Sequence, residues 1–136
     1  RPLQLHAQLA VRTHRGSLAC VGGAYADGAV TASVRTAGDL AIVADTLPPA
    51  IRPLFAEGAD LTRAEGVRFR AADNFSGIAS CTLLIDGKWV PCDRLPMQGT
   101  LIHLFEEPPA RKSHSVRLIL TDACGNTACW EGTIRR

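Results

Sequence analysis

Five oxygen-bearing side chains occur at positions that the sequence places in loops, where they could coordinate a metal ion. They are Asp45, Asp73, Asn74, Asp122 and Asn126. Calcium binds roughly six to eight oxygen ligands, so this set could form a calcium site. However, its spacing does not match an EF-hand loop, and Asp and Asn commonly cap turns by accepting hydrogen bonds from nearby backbone amides. Turn capping is the favoured interpretation, so we expect no metal and no other cofactor.

Cysteine chemistry is limited by the spacing of the five cysteines, Cys20, Cys81, Cys92, Cys124 and Cys129. None of them forms a Cys-x-x-Cys pair, which disfavours a zinc ribbon or a thioredoxin-like redox site. A nucleophilic cysteine would need a histidine and an orienting group close to it in space, and the sequence gives no reason to expect them. The odd number of cysteines gives only weak support for an oxidising compartment.

The hairpin around Asp86-Gly87 favours one disulfide, between Cys81 and Cys92. Asp-Gly is typical of a type I′ turn, in which Ile85 would face Lys88 and Cys81 would face Cys92. Such a hydrogen-bonded pair has Cα atoms about 5.5 Å apart, inside the range of roughly 4.4 to 6.8 Å for a disulfide. The bond would stabilise the fold by about 3 kcal/mol. Two reduced thiols packed side by side remain an open alternative, and the other three cysteines are expected to stay as thiols.

The same hairpin gives a candidate binding surface, formed by Lys88 and Trp89. Trp89 alternates with Val90, so the two side chains are expected on opposite faces of the strand. A sugar ring could stack on an exposed tryptophan, although covering the end of a sheet is the more common role of such a residue. Trp130 has the same parity as Ile134 and is expected in the core.

The four histidines, His6, His14, His103 and His114, do not form a catalytic set. His114 precedes an alternating apolar strand and is expected to be packed and hydrogen-bonded. His103 has no Cys, Asp or His near it in the sequence. We therefore assign no catalytic residue and predict that the chain is not an enzyme.

A stiff hinge divides the chain in two. Two consecutive prolines, Pro48 and Pro49, fix the backbone in an extended form and remove two hydrogen-bond donors. Residues 1–44 contain four short alternating segments between glycine turns and are predicted to form a β meander, the end of an upstream β domain. Residues 45–136 contain about seven strand patterns and no helix pattern, which predicts an all-β, immunoglobulin- or fibronectin-like antiparallel β-sandwich.

Length and charge exclude several classes of protein. The chain has 136 residues, and 15 basic against 13 acidic residues give a net charge of +2. This charge is too small for a nucleic-acid-binding surface, so we expect no nucleic-acid partner. No apolar run reaches the roughly 18 residues of a transmembrane helix, so we expect no membrane-spanning segment in this chain. Because the first residue is not Met and lies inside a β-like pattern, we expect a fragment of a longer protein.

Several strings together resemble a known family. They are Val-Gly-Gly-Ala-Tyr-Ala-Asp-Gly at 21–28, Asp-Thr-Leu-Pro-Pro at 45–49, Asp-Asn-Phe-Ser-Gly-Ile at 73–78, Ile-Asp-Gly-Lys-Trp-Val at 85–90, His-Ser-Val-Arg-Leu at 114–118, and Thr-Asp with Gly-Asn at 121–126. The chain is similar to the non-catalytic C-terminal region of bacterial lysostaphin-type zinc endopeptidases, which cut peptidoglycan cross-links. The cysteines at 81, 92, 124 and 129 depart from that family's pattern.

The resemblance implies a role but no catalytic site. The family's zinc is held partly by a His-x-His motif, which this chain lacks. The resemblance therefore implies a non-catalytic accessory module in the bacterial periplasm or at the cell surface, which positions an upstream peptidase domain of the same protein. The alternative is a stand-alone module that binds a glycan or a protein through the exposed hairpin and the edge strand.

Overall fold

The computed structural model describes residues 2–95 and 99–136, which form strands and one short 3-10 helix. The N-terminal unit contains the helix Leu3–His6 and strands β1 Ala7–Arg12, β2 Leu18–Gly22, β3 Ala24–Ala26, β4 Ala29–Thr31 and β5 Leu40–Ala44. The C-terminal unit contains β6 Ala50–Pro53, β7 Ala59–Asp60, β8 Gly66–Ala72, β9 Ile78–Ile85, β10 Lys88–Val90, β11 Asp93–Leu95, β12 Thr100–Leu104, β13 Ser113–Asp122 and β14 Thr127–Arg135. In the described parts of the chain, no helix has the length and apolarity needed to cross a membrane. The all-β prediction is confirmed.

The N-terminal unit differs from the predicted meander. Its three-stranded sheet has the order β2-β1-β5, and β3 and β4 form a separate hairpin. The cause lies at Gly22 and Gly23, whose φ values of 100° and 115° turn the chain away from β2. Because L side chains rarely adopt such φ values, the glycine pair permits this bend, and β5 rather than β4 completes the sheet beside β1.

The N-terminal sheet has little core of its own. Ala10 is fully buried in its central strand, whereas Leu40 and Ile42 of the neighbouring strand β5 are 50% and 67% exposed. Among the described residues of this unit, the buried apolar side chains are Ala7 and Ala10. Two alanines remove too little apolar surface from water to stabilise a sheet, so this unit depends on its contacts with the rest of the chain.

The C-terminal unit has two sheets that share one apolar core. One sheet has the order β10-β9-β13-β14-β7 and the other β11-β12-β8-β6, and the pairs are antiparallel except β14 with β7. Alternate residues of each strand point inward, as the period of two requires. The buried cluster contains Val67, Phe69, Ala71, Leu83, Leu101, Val116, Leu118, Leu120 and Ile134. Trp130 packs against this cluster, with its ring 5.2 Å from the Phe69 ring, as its parity predicted.

The β9–β10 hairpin has the predicted turn and register. Asp86 and Gly87 have φ values of 51° and 75°, and a type I′ turn needs positive φ at both central positions. Lys88 pairs with Ile85, and Val90 pairs with Leu83. The turn residues therefore determine which side chains face each other along this hairpin.

Candidate functional site

Three carboxylates meet where the N-terminal unit joins the two-sheet unit. Asp45 lies in the hinge, Asp73 in the loop between β8 and β9, and Asp122 at the end of β13. One oxygen of each carboxylate lies within 4.8 Å of the others, and Asp45 and Asp122 are each only 2% exposed. No ion pair of the described residues involves any of the three. Among the described residues, these carboxylates are the group that could hold a hard divalent cation.

Backbone amides compensate most of this buried charge. Asp73 Oδ2 accepts hydrogen bonds from the amides of Phe75 and Gly77, at 3.1 and 2.7 Å. Asp122 Oδ1 accepts from the amides of Cys124 and Asn126, at 2.9 and 2.8 Å. Each carboxylate therefore caps the turn that follows it, which is the role that the sequence favoured.

Asp45 also accepts hydrogen bonds from backbone amides, and one of these amides belongs to the distant β8–β9 loop. Its Oδ2 accepts a hydrogen bond from the Ser76 amide at 2.9 Å, and its Oδ1 accepts from the Leu47 amide at 3.3 Å. Burial by itself would raise the pKa of Asp45, but the hydrogen bonds from Ser76 and Leu47 favour the charged form and leave the pKa below its usual value. Asp45 is therefore a charged link between the hinge and the β8–β9 loop.

Asn126 completes the cluster. Its side-chain Nδ2 donates to the Asp45 carbonyl oxygen at 2.8 Å and to Asp122 Oδ2 at 2.7 Å. The Asn74 side chain also interacts with Asp45. The five residues that the sequence suggested as oxygen donors are thus together in space. We call this set, with Asp45, Asp73, Asn74, Asp122 and Asn126 as its members, the junction cluster.

The junction cluster is connected to the last residue of the short helix that precedes β1. The His6 carbonyl oxygen accepts hydrogen bonds from the Asp45 amide at 2.9 Å and from Cys124 Sγ at 3.2 Å. His6 and Gln8 are buried, and Gln8 Oε1 accepts a hydrogen bond from Cys20 Sγ at 2.8 Å. The two units are therefore joined through buried, hydrogen-bonded groups on both sides of the hinge.

A second candidate site is a groove at the opposite end of β13. Its volume is about 450 Å³, and its lining includes Lys88, Trp89, His103, Phe105, His114 and Arg136. This volume lies within the range of roughly 300 to 1,000 Å³ that is usual for ligand pockets. The strand β13 has ten residues, so the groove and the junction cluster are roughly 30 Å apart.

Hydrogen bonds to β13 fix the hairpin at the edge of this groove. The Asp86 carboxylate contacts His114 Nδ1 at 2.7 Å and accepts a hydrogen bond from the Ser115 amide at 2.9 Å. Because a charged carboxylate only accepts, the proton of this pair lies on His114 Nδ1. The hydrogen bond from His114 is the main reason why the pKa of Asp86 lies below its usual value. His114 is packed and hydrogen-bonded, as predicted.

Aromatic and cationic groups form the other wall of the groove. The Arg136 guanidinium lies 3.9 Å from the centre of the Phe105 ring, a cation–π contact, and His103 meets the same ring edge-on. The Pro91 carbonyl oxygen contacts His103 Nδ1 at 2.7 Å. Trp89 is 65% exposed, in agreement with the sequence, and it lines the groove together with Lys88. The groove thus combines aromatic surface with both signs of charge and can bind a ligand that has both apolar and polar faces.

The sequence identified only part of this groove. Lys88 and Trp89 were predicted as a binding surface because they belong to a recognisable hairpin. Phe105 and Arg136 were not predicted, because they lie at the ends of other strands and no local pattern relates them to the hairpin. The Cys81 and Cys92 side chains, the predicted disulfide pair, lie beside each other as thiols at the edge of the core.

Comparison with known proteins adds no further identification. No protein-family model matches the chain, and a search of curated proteins found none that is similar to it.

Proposed function

We propose that this chain is a non-catalytic accessory module of a bacterial cell-envelope protein, which holds a neighbouring domain in a fixed orientation. The observation that carries the proposal is the junction cluster, in which hydrogen bonds between distant segments hold the two units of this chain together. By resemblance, the neighbouring domain is a peptidoglycan endopeptidase, and the module works in the periplasm or at the cell surface.

The strand order supports an immunoglobulin-like sandwich as the scaffold of this module. In that fold, strands A, B, E and D form one sheet and strands C, F and G form the other. Here β6, β8, β12 and β11 occupy the positions of A, B, E and D. The strands β9, β13 and β14 occupy those of C, F and G, and β10 adds the C′ strand beside β9. Apart from β7, which pairs with β14, the strand neighbours in both sheets agree with those of that fold, and this agreement supports the proposal.

The positions of the resembling strings support the accessory role. The strings at 45–49, 73–78 and 121–126 supply the carboxylates and the asparagines of the junction cluster, and the string at 85–90 forms the hairpin. Three of the six strings that carry the resemblance thus join the two units, and a fourth shapes the edge of the groove.

Nuclear relaxation of backbone ¹⁵N in the purified chain tests the fixed orientation. We expect residues of β1 and β13 to have one common rotational correlation time, because buried hydrogen bonds connect their units. Separate correlation times for the two units would contradict the proposed role.

A cleavage assay tests the non-catalytic part of the proposal. We expect no cleavage of pentaglycine or of cross-linked muropeptides by the purified chain with zinc added, because the chain lacks a His-x-His motif. A lysostaphin-type peptidase assayed in parallel shows that the substrates can be cleaved. Zinc-dependent cleavage by this chain would overturn the assignment, and a complete coding sequence without a peptidase domain would remove the proposed partner.

The groove favours a second candidate function, the binding of a glycan or a protein segment. Its size, its exposed Trp89 and its mixed charges are features of ligand sites. Titration with soluble peptidoglycan fragments, followed by tryptophan fluorescence and by chemical shifts, tests this function. We expect Trp89→Ala to weaken binding at least tenfold and Ile42→Ala, an equally exposed residue of the N-terminal sheet, to leave it unchanged. Equal affinities of the two variants would contradict binding at the groove.

A further inference from the structure

Cys81 and Cys92 lie at a structurally special place in the two-sheet unit. Cys81 belongs to β9 of the five-stranded sheet. Cys92 lies in the short connection through which the chain passes from β10, in that sheet, to β11, in the four-stranded sheet. A covalent bond between them would therefore attach the connection between the two sheets to β9, in addition to linking the two strands of the hairpin.

Two features of the geometry bring the two side chains together. The β9–β10 pairing ends with Val90 opposite Leu83, and Cys92 and Cys81 each lie two residues beyond that pair. Both side chains are half-buried and pack against the same apolar cluster, so they point to the same side of the sheet. Each thiol also shifts the pKa of the other, as neighbouring groups do: the pKa of Cys81 is lowered and that of Cys92 is raised.

We propose that Cys81 and Cys92 form a reversible disulfide that fixes the crossing between the two sheets and, with it, one edge of the groove. The segment 88–91 contributes four of the groove's lining residues. At one end of this segment, the Asp86 carboxylate attaches the hairpin to β13. The disulfide attaches the other end to β9, so that oxidation holds the segment at both ends.

The chemistry requires a small disulfide as the oxidant, such as oxidised glutathione. Cys81 is the attacking thiolate, because its interaction with the neighbouring Cys92 thiol lowers the pKa of Cys81 and the positive charge of Arg94 lowers it further. Its sulfur attacks the oxidant, forms a mixed disulfide and releases one small thiolate. Cys92 then loses its proton to solvent and attacks the Cys81 sulfur, which releases the second small thiol. Two protein thiols are oxidised, and one small disulfide is reduced to two thiols.

Peptide mapping of the whole chain, with and without oxidised glutathione, tests the proposal. We expect a peptide that links 81 to 92, with Cys129 recovered in its alkylated form, because Cys129 is exposed on another strand. We also expect oxidation to raise the melting temperature by about 10 °C, since the bond restricts the unfolded chain. Amide hydrogen exchange at 88–92 should slow by at least tenfold after oxidation.

Variants separate this bond from other effects of oxidation. Cys81→Ser and Cys92→Ser should each abolish the oxidant-dependent rise in melting temperature, whereas Cys129→Ser should keep it. Because the primary readout is the wild-type chain with and without oxidant, poor folding of a serine variant does not affect the result. Alkylation of both Cys81 and Cys92 after incubation with the oxidant, or a linked peptide that joins other cysteines, would overturn the proposal.

Discussion

At the scale of single residues, the Asp86 side chain connects a turn to a distant strand. Its positive φ suits the turn, while its carboxylate bonds to the His114 side chain and to the Ser115 amide. The Asp86 amide also donates to the Ser115 carbonyl oxygen at 2.9 Å. One residue thus satisfies the local geometry of the hairpin and fixes the position of the hairpin relative to β13.

Asp86→Asn should lower the free energy of unfolding at neutral pH and make this free energy less dependent on pH. Because the folded-state pKa of Asp86 is lowered, its stabilisation is present above the unfolded pKa of roughly 3.9 and is lost as the pH falls through the folded pKa. We expect a loss of about 1 kcal/mol at pH 7, at the low end for a bond to a charged group because Asp86 is partly exposed.

Thermal unfolding between pH 2 and pH 7 measures this effect. The difference between wild type and Asp86→Asn should shrink as the pH falls. Asp39→Asn, a substitution at an exposed loop residue, serves as the control. A difference that stays constant over this range would show that the Asp86 charge isn't responsible.

At the scale of elements, three separate segments meet at the junction cluster. The hinge, the β8–β9 loop and the end of β13 contribute one carboxylate each, and Asn126 of the β13–β14 turn donates to the hinge and to the end of β13. The prolines keep the hinge extended, while the hydrogen bonds of the junction cluster determine where Asp45, the first residue of the hinge, lies. The orientation of the N-terminal unit therefore depends on side chains that are distant in sequence.

Asn126→Ala should destabilise the fold strongly for a surface-turn substitution. It leaves the Asp45 carbonyl oxygen and Asp122 Oδ2 without the amide donor that they share, at a cost of about 2 to 3 kcal/mol. Chemical denaturation measures this loss. As a control, Glu131→Ala removes an exposed ion pair with Arg117 and should cost less than about 1 kcal/mol. Equal effects of both substitutions would show that the junction bonds contribute little.

At the scale of the whole molecule, β13 connects the two candidate sites. Its first residues bind the hairpin at the groove, and its last residue, Asp122, belongs to the junction cluster. The N-terminal unit contacts the two-sheet unit at the junction cluster, and the groove lies at the other end of β13. The two proposed functions would therefore use opposite ends of this strand.

Removal of the N-terminal unit should leave a folded but less stable chain. Residues 46–136 retain the shared core of both sheets, so this truncated chain should fold. It loses Asp45 and the bonds to His6, which exposes buried polar groups of the junction cluster. Circular dichroism should show β structure and a melting temperature several degrees below that of the full chain. An unchanged melting temperature would mean that the two units do not stabilise each other.

The sequence by itself determined the local features of this protein. Alternating apolar residues predicted the strands around Phe69 and Leu118, because a period of two places every second side chain in the core. Asp86-Gly87 predicted both the turn and the register, since only residues that tolerate positive φ fit a type I′ turn. These features could be predicted because they depend on residues that are neighbours in the chain.

The tertiary structure decided the features that join distant segments. The glycine pair at Gly22 and Gly23 lets the chain leave the first sheet, so that β5 pairs with β1 and the predicted meander does not form. Asp45 and Asp122 are 77 residues apart and meet only because β13 ends beside the hinge. Phe105 and Arg136 follow different strands and meet at the groove only because the sheets pack together. Such contacts depend on how the sheets pack over the whole chain, and no short stretch of sequence contains that information.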